Sequence, residues 1–82
     1  MKQVLQNITE RLHKPENKEK YNLLILHTSE IDGGQHFLNT YNDANSIVKN
    51  ANPSDFDYNI YVSTFNSLVK RLAQWLDDNQ WA

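Results

Sequence analysis

Acid-base or metal chemistry in this 82-residue chain would have to come from His13, His27 and His36 and from a few closely spaced carboxylates. Imidazole is a common metal ligand and proton carrier, and alternate residues of a strand share one face. An even-residue hairpin loop would set His27 and His36 side by side on neighbouring strands, with Glu30 and Asp32 nearby as oxygen donors. No HxH or HExxH spacing fixes such a geometry, and a metal site needs a full ligand set with supporting hydrogen bonds. The expectation is exposed histidines, no metal and no cofactor.

The acids lead to a similar expectation. Asp55-Phe56-Asp57 puts two carboxylates on one side of a strand, where they could serve as acid and base only in a desolvated pocket. Asp77-Asp78 falls at a helix C-terminus, where the macrodipole disfavours negative charge. The serines and threonines include no GxSxG elbow or SxxK pair, and Gly33-Gly34 lacks the context of a phosphate-binding loop. A non-catalytic protein is expected, with His27, His36 and Asp57 as the best residues for an enzyme reading.

Charge selects no partner class. Eight basic and ten acidic side chains leave a formal charge of -2, neither the positive field of a general nucleic-acid binder nor the strong negative field of a DNA mimic. Arg11, Lys14 and Lys18, with Lys70 and Arg71 further on, could still form a small phosphate-binding patch. This is the alternative reading, a nucleic-acid-binding regulator. Glu10, Glu16 and Glu19 are interleaved with the first three, and no helix-turn-helix, aromatic RNP-type strand or basic helical arm accompanies them.

Aromatic residues are the more informative surplus. Trp75 flanks the apolar stripe of the last helix, Trp81 lies beyond its end, and Tyr61 is expected on the strand face opposite Phe56, Tyr58, Ile60 and Val62. Together with Tyr41 these are the candidate partner-binding residues, because such types concentrate binding energy at interface centres. The competing reading has the tryptophans fold back to complete a small core.

The elements that must position these residues follow from periodicity. Met1, Val4, Leu5, Ile8 and Leu12 share a helical face, and Pro15 ends that helix. Leu23-Leu24-Ile25-Leu26 is a continuous apolar run, expected as a central strand; Asp32-Gly33-Gly34 is expected to turn the chain into a second strand over residues 36–41. Asn42-Asp43 can cap a short helix with Ala44, Ile47, Val48 and Ala51 inward, broken by Asn52-Pro53-Ser54-Asp55. Phe56, Tyr58, Ile60 and Val62 alternate as a third strand, which feeds a helix carrying Phe65, Leu68, Val69, Leu72 and Leu76.

The expected fold is one α+β domain over residues 1–82, in element order α-β-β-α-β-α. It is a two-layer sandwich with a three-stranded antiparallel sheet of order 2-1-3 against helices; the order 1-2-3 would leave Leu23–Leu26 at an edge. With no cysteine, no signal-peptide pattern and no membrane-length segment, a cytoplasmic protein is expected. Its expected role is a small accessory protein that self-associates, or regulates or inhibits a protein partner, through its last strand, last helix and tail. In size and lack of motifs the pattern is similar in kind to small accessory proteins of phages, integrons and other mobile elements, an analogy that assigns no function.

Overall fold

A computed structural model describes residues 1–82, and all of its regular structure is helical. Helix α1 spans Lys2–Leu12 and buries Leu5, Ile8 and Leu12 of the expected stripe, while Met1 is half-buried and Val4, expected inward, is 44% exposed. Pro15 stops it and opens a 3-10 turn, Pro15–Asn17, with the ring at the first helical position where no N–H is needed. Helix α2 follows at Lys18–Leu26, and a second 3-10 turn, Thr28–Glu30, leads to α3 at Gly34–Asn50. Helix α4 occupies Tyr58–Asp78.

The α+β sandwich and its three-stranded sheet of order 2-1-3 are therefore corrected to an all-helical arrangement with no strand. Each expected strand lies in a helix, except that Phe56 and Asp57 of the third fall in the loop before it, and each for a local reason. Leu23–Leu26 completes α2: three of its four residues are leucine, a good helix former, and four apolar residues are too few for periodicity to separate strand from helix. Residues 36–41 open α3, where Phe37, Thr40 and Ala44 are buried at helical spacing. Residues 58–62 open α4, where half-buried Tyr58 and Val62 and buried Phe65 continue one stripe at i, i+4 and i+7. Ile60, which alternation would turn inward, is 64% exposed.

Gly33 and Gly34 do reverse the chain, but into a helix. Gly33 sits at φ +75 as the residue before α3, and a side chain there would meet the Trp75 indole nitrogen at 2.9 Å. Both facts require glycine at this position.

Helices α3 and α4 form an antiparallel hairpin joined by residues 51–57, in which the Asn52 carboxamide oxygen accepts hydrogen bonds from the Ser54 N–H and hydroxyl. Helix α1 lies along this hairpin. Its Thr9 hydroxyl bonds the Tyr41 hydroxyl on α3, and its Arg11 reaches Asp77 near the end of α4. The core is built from Leu5, Ile8 and Leu12 of α1, Phe37 and Ala44 of α3, Phe65, Leu72 and Leu76 of α4, Leu24 of α2, and Trp81. No helix is long and apolar enough to cross a membrane.

Candidate protein-binding groove

The chain beyond α4 is tied down by an unusual concentration of hydrogen bonds. Gln80 adopts a left-handed conformation at φ 62, which lets the Trp81 N–H return to the Leu76 carbonyl at 3.0 Å and the Gln80 N–H to the Asp77 carbonyl at 3.1 Å. This is a Schellman closure with glutamine where glycine is the usual occupant, and it turns Trp81 back onto the bundle. There Asn17, only 1% exposed, clamps the chain: its amide donates to the carbonyls of Arg11 and Ala82, and its oxygen accepts from the Ala82 N–H. The Arg11 guanidinium adds bonds to Asp77 at 2.7 Å and to the main-chain oxygens of Trp81 and Ala82. Arg11 thus answers the unfavourable placement of Asp77 at a helix C-terminus, while Asp78 accepts a hydrogen bond from the Gln74 amide.

This clamp sets the position of an aromatic column. Tyr41, Phe37, Trp75 and Trp81 follow one another in space, with ring centroids 6.4, 4.5 and 6.1 Å apart. The Phe37–Trp75 pair is stacked at 27°, and aromatic pairs of this kind contribute about 1 kcal/mol each beyond their buried area. Three of the four aromatics chosen from sequence, Tyr41, Trp75 and Trp81, are therefore brought together, joined by Phe37. Tyr61 is not among them; it lies near the other end of α4. Trp81 is 7% exposed and Trp75 and Tyr41 are half-buried, so much of their surface serves the bundle itself.

Between α2 and the end of α4 the column is open to solvent in a groove of about 180 Å³, lined by Lys20, Leu23, Ile31, Trp75, Asn79 and Trp81. Lys20 donates to the Asn79 carbonyl across one rim. The neighbouring surface of α2 is apolar: Leu23 is 50% exposed, Ile25 46% and Leu26 74%, and of that run only Leu24 is buried. Sequence reasoning missed these leucines because it assigned the whole run to a sheet interior. The available signal was that a nine-residue helix with four apolar residues in succession cannot turn all of them to one side.

The remaining candidates are dispersed. His27 pairs loosely with Glu30 at 3.7 Å, and His36 lies at the start of α3 while Asp57 precedes α4. The antiparallel hairpin separates His36 from Asp57 by most of the length of α3, about 20 Å at the helical rise. His27 and His36 are not strand neighbours, and no group of three or more His, Cys, Asp or Glu side chains converges. Of the basic residues, Arg11 is engaged in the clamp, Lys14 and Lys18 flank the Pro15 turn, and Lys70 and Arg71 line a shallow depression on α4 together with Asp78. No family model, curated protein or solved structure matches the chain.

Proposed function

We propose that this chain is a small, non-catalytic protein-binding module, which regulates or inhibits its partner through the groove between α2 and the end of α4. The supporting observation is the apolar surface of α2, with Leu23 and Leu26 exposed beside a groove backed by Trp75 and Trp81. Exposed aliphatic side chains next to aromatic rings form the kind of surface on which an apolar side chain of a partner segment can be seated, with surrounding contacts excluding water. Lys20 at the rim supplies an ammonium group for a carbonyl or carboxylate of the same segment. A cytoplasmic location goes with this reading, since the sequence carries no cysteine.

The test is differential capture. Immobilised wild-type chain should retain a protein from a lysate of its native host, and the Leu23→Ser, Leu26→Ser double variant should bind that protein at least about thirty-fold more weakly, as expected when interface anchors are lost. The two baits must show the same helical circular dichroism. Equal binding by both would remove the groove from the explanation.

A further inference from the structure

We propose that the tip of the α3–α4 hairpin is a self-association surface, and that its occupant is the same tip of a second copy of this chain. The proposal rests on the reading of the chain as a protein-binding module, but uses a surface separate from the groove. Its starting point is where α1 stops covering the hairpin. Thr9 of α1 meets Tyr41, and Lys2 at its start borders Val48, so α1 runs beside α3 to within about a turn of its end. Only the tip itself, the end of α3, the connecting loop and the first turn of α4, extends past the start of α1. Apolar side chains remain outward in this region: Phe56 is 95% exposed, Ile60 64% and Tyr61 39%.

The tip is complementary to itself in shape and charge, which an isologous two-fold contact requires. Phe56 is a projecting ring, and beside it Ile47, Ala51 and Tyr61 line a groove of about 250 Å³. Asp57 is the residue before α4 and Tyr61 its fourth residue, so Phe56 occupies the position from which a side chain ordinarily folds onto Tyr61; at 95% exposed it does not. Lys49 on one arm and Asp55 and Asp57 at the base of the other carry opposite charges, and none of these three side chains forms an ion pair within the chain, whose Arg–carboxylate pair is that of Arg11 with Asp77. A two-fold axis through the tip lets Phe56 of each copy enter the groove of the other, with Lys49 facing the partner's acids.

The surface area agrees with this occupant. The chain exposes 5712 Å² at 9.6 kDa, while a monomer of that mass is expected to expose about 5,100 Å². The surplus of about 600 Å² goes with the elongated shape, whose extents are 41 × 23 × 19 Å and whose radius of gyration is 13.5 Å against about 12 Å expected for this length. Pairing of two tips would cover part of that surface, a standard interface taking roughly 800 Å² from each partner.

Light scattering after size exclusion, at concentrations up to about 200 µM so that a micromolar Kd is covered, tests the proposal. Wild type should show twice the mass of one chain, Phe56→Asp should show the mass of one chain with unchanged circular dichroism, and Leu26→Asp on α2 should remain double. A wild type of single mass throughout, or a Phe56→Asp protein of double mass, overturns the tip dimer. Neither result bears on capture through the groove, which is read by the Leu23 and Leu26 variant.

Discussion

The two ends of α4 follow opposite rules. At its C-terminal end Leu72, Leu76 and Trp81 are all but inaccessible, and Asn17 and Arg11 satisfy main-chain groups that would otherwise end in open solvent. At its N-terminal end Asp57 makes no side-chain cap, Ile60 and Phe56 are exposed, and the preceding loop is held mainly by its own local hydrogen bonds. One continuous helix thus joins a closed end, where removing an atom leaves a hole or an unpaired polar group, to an open end where it leaves water. The difference teaches that along α4 buried and exposed apolar side chains are segregated by end, the exposed leucines beside the closed end belonging to α2, so the two ends of α4 can be changed with little effect on each other.

The strongest challenge to that segregation compares two phenylalanines. Phe37→Ala should lower stability by about 4 kcal/mol, because the ring is 2% exposed and stacks on Trp75. Phe56→Ala, measured at a dilution that keeps the chain monomeric, should change it by less than about 0.5 kcal/mol. Urea melts of the two variants decide the matter, and similar losses would show that the tip is folded as tightly as the core. Asn17→Ala should follow at about 3 kcal/mol, since it strands the Ala82 N–H, removes the shorter of the two hydrogen bonds to the Arg11 carbonyl and empties a buried site. That loss corresponds to a fall in Tm of roughly 12–24 °C for a domain of this size, readable by circular dichroism. A smaller change than either core loss has the opposite sign. Gln80→Gly should stabilise by about 1 kcal/mol, because glycine enters the left-handed conformation at φ 62 without a Cβ penalty.

The readable parts of the sequence were those where one period had no competitor. The α1 helix with Leu5, Ile8 and Leu12 inward, the stop at Pro15, the break at Asn52–Asp55 and the apolar face from Phe65 to Leu76 stand as expected, and only Val4 departs from the α1 stripe. The sheet failed because short apolar windows were read singly. Phe56, Tyr58, Ile60 and Val62 alternate over seven residues, yet Tyr58 and Val62 also extend the Phe65 stripe backwards, and the longer pattern prevailed. In α3 the residues that settle the period are Thr40 and Ala44, one polar and one small; each is buried, and the Thr40 hydroxyl is satisfied by the His36 carbonyl. Threonine does not advertise a core position, and Ala44, expected inward, was assigned to a helix that began only after Asn42-Asp43. At the candidate site the aromatic residue types were legible, but their grouping was not. Trp81 joins the column through a left-handed glutamine and a buried asparagine, and the second of these lies 64 residues earlier in the chain.

Both tryptophans of the chain stand in the same ring column, 6.1 Å apart, and both border the groove. The intrinsic emission of this protein is consequently a two-purpose signal. Loss of the fold separates and wets the two indoles, whereas a visitor in the cleft dries the half-buried Trp75 without separating the pair, so the two events should shift the spectrum in opposite directions.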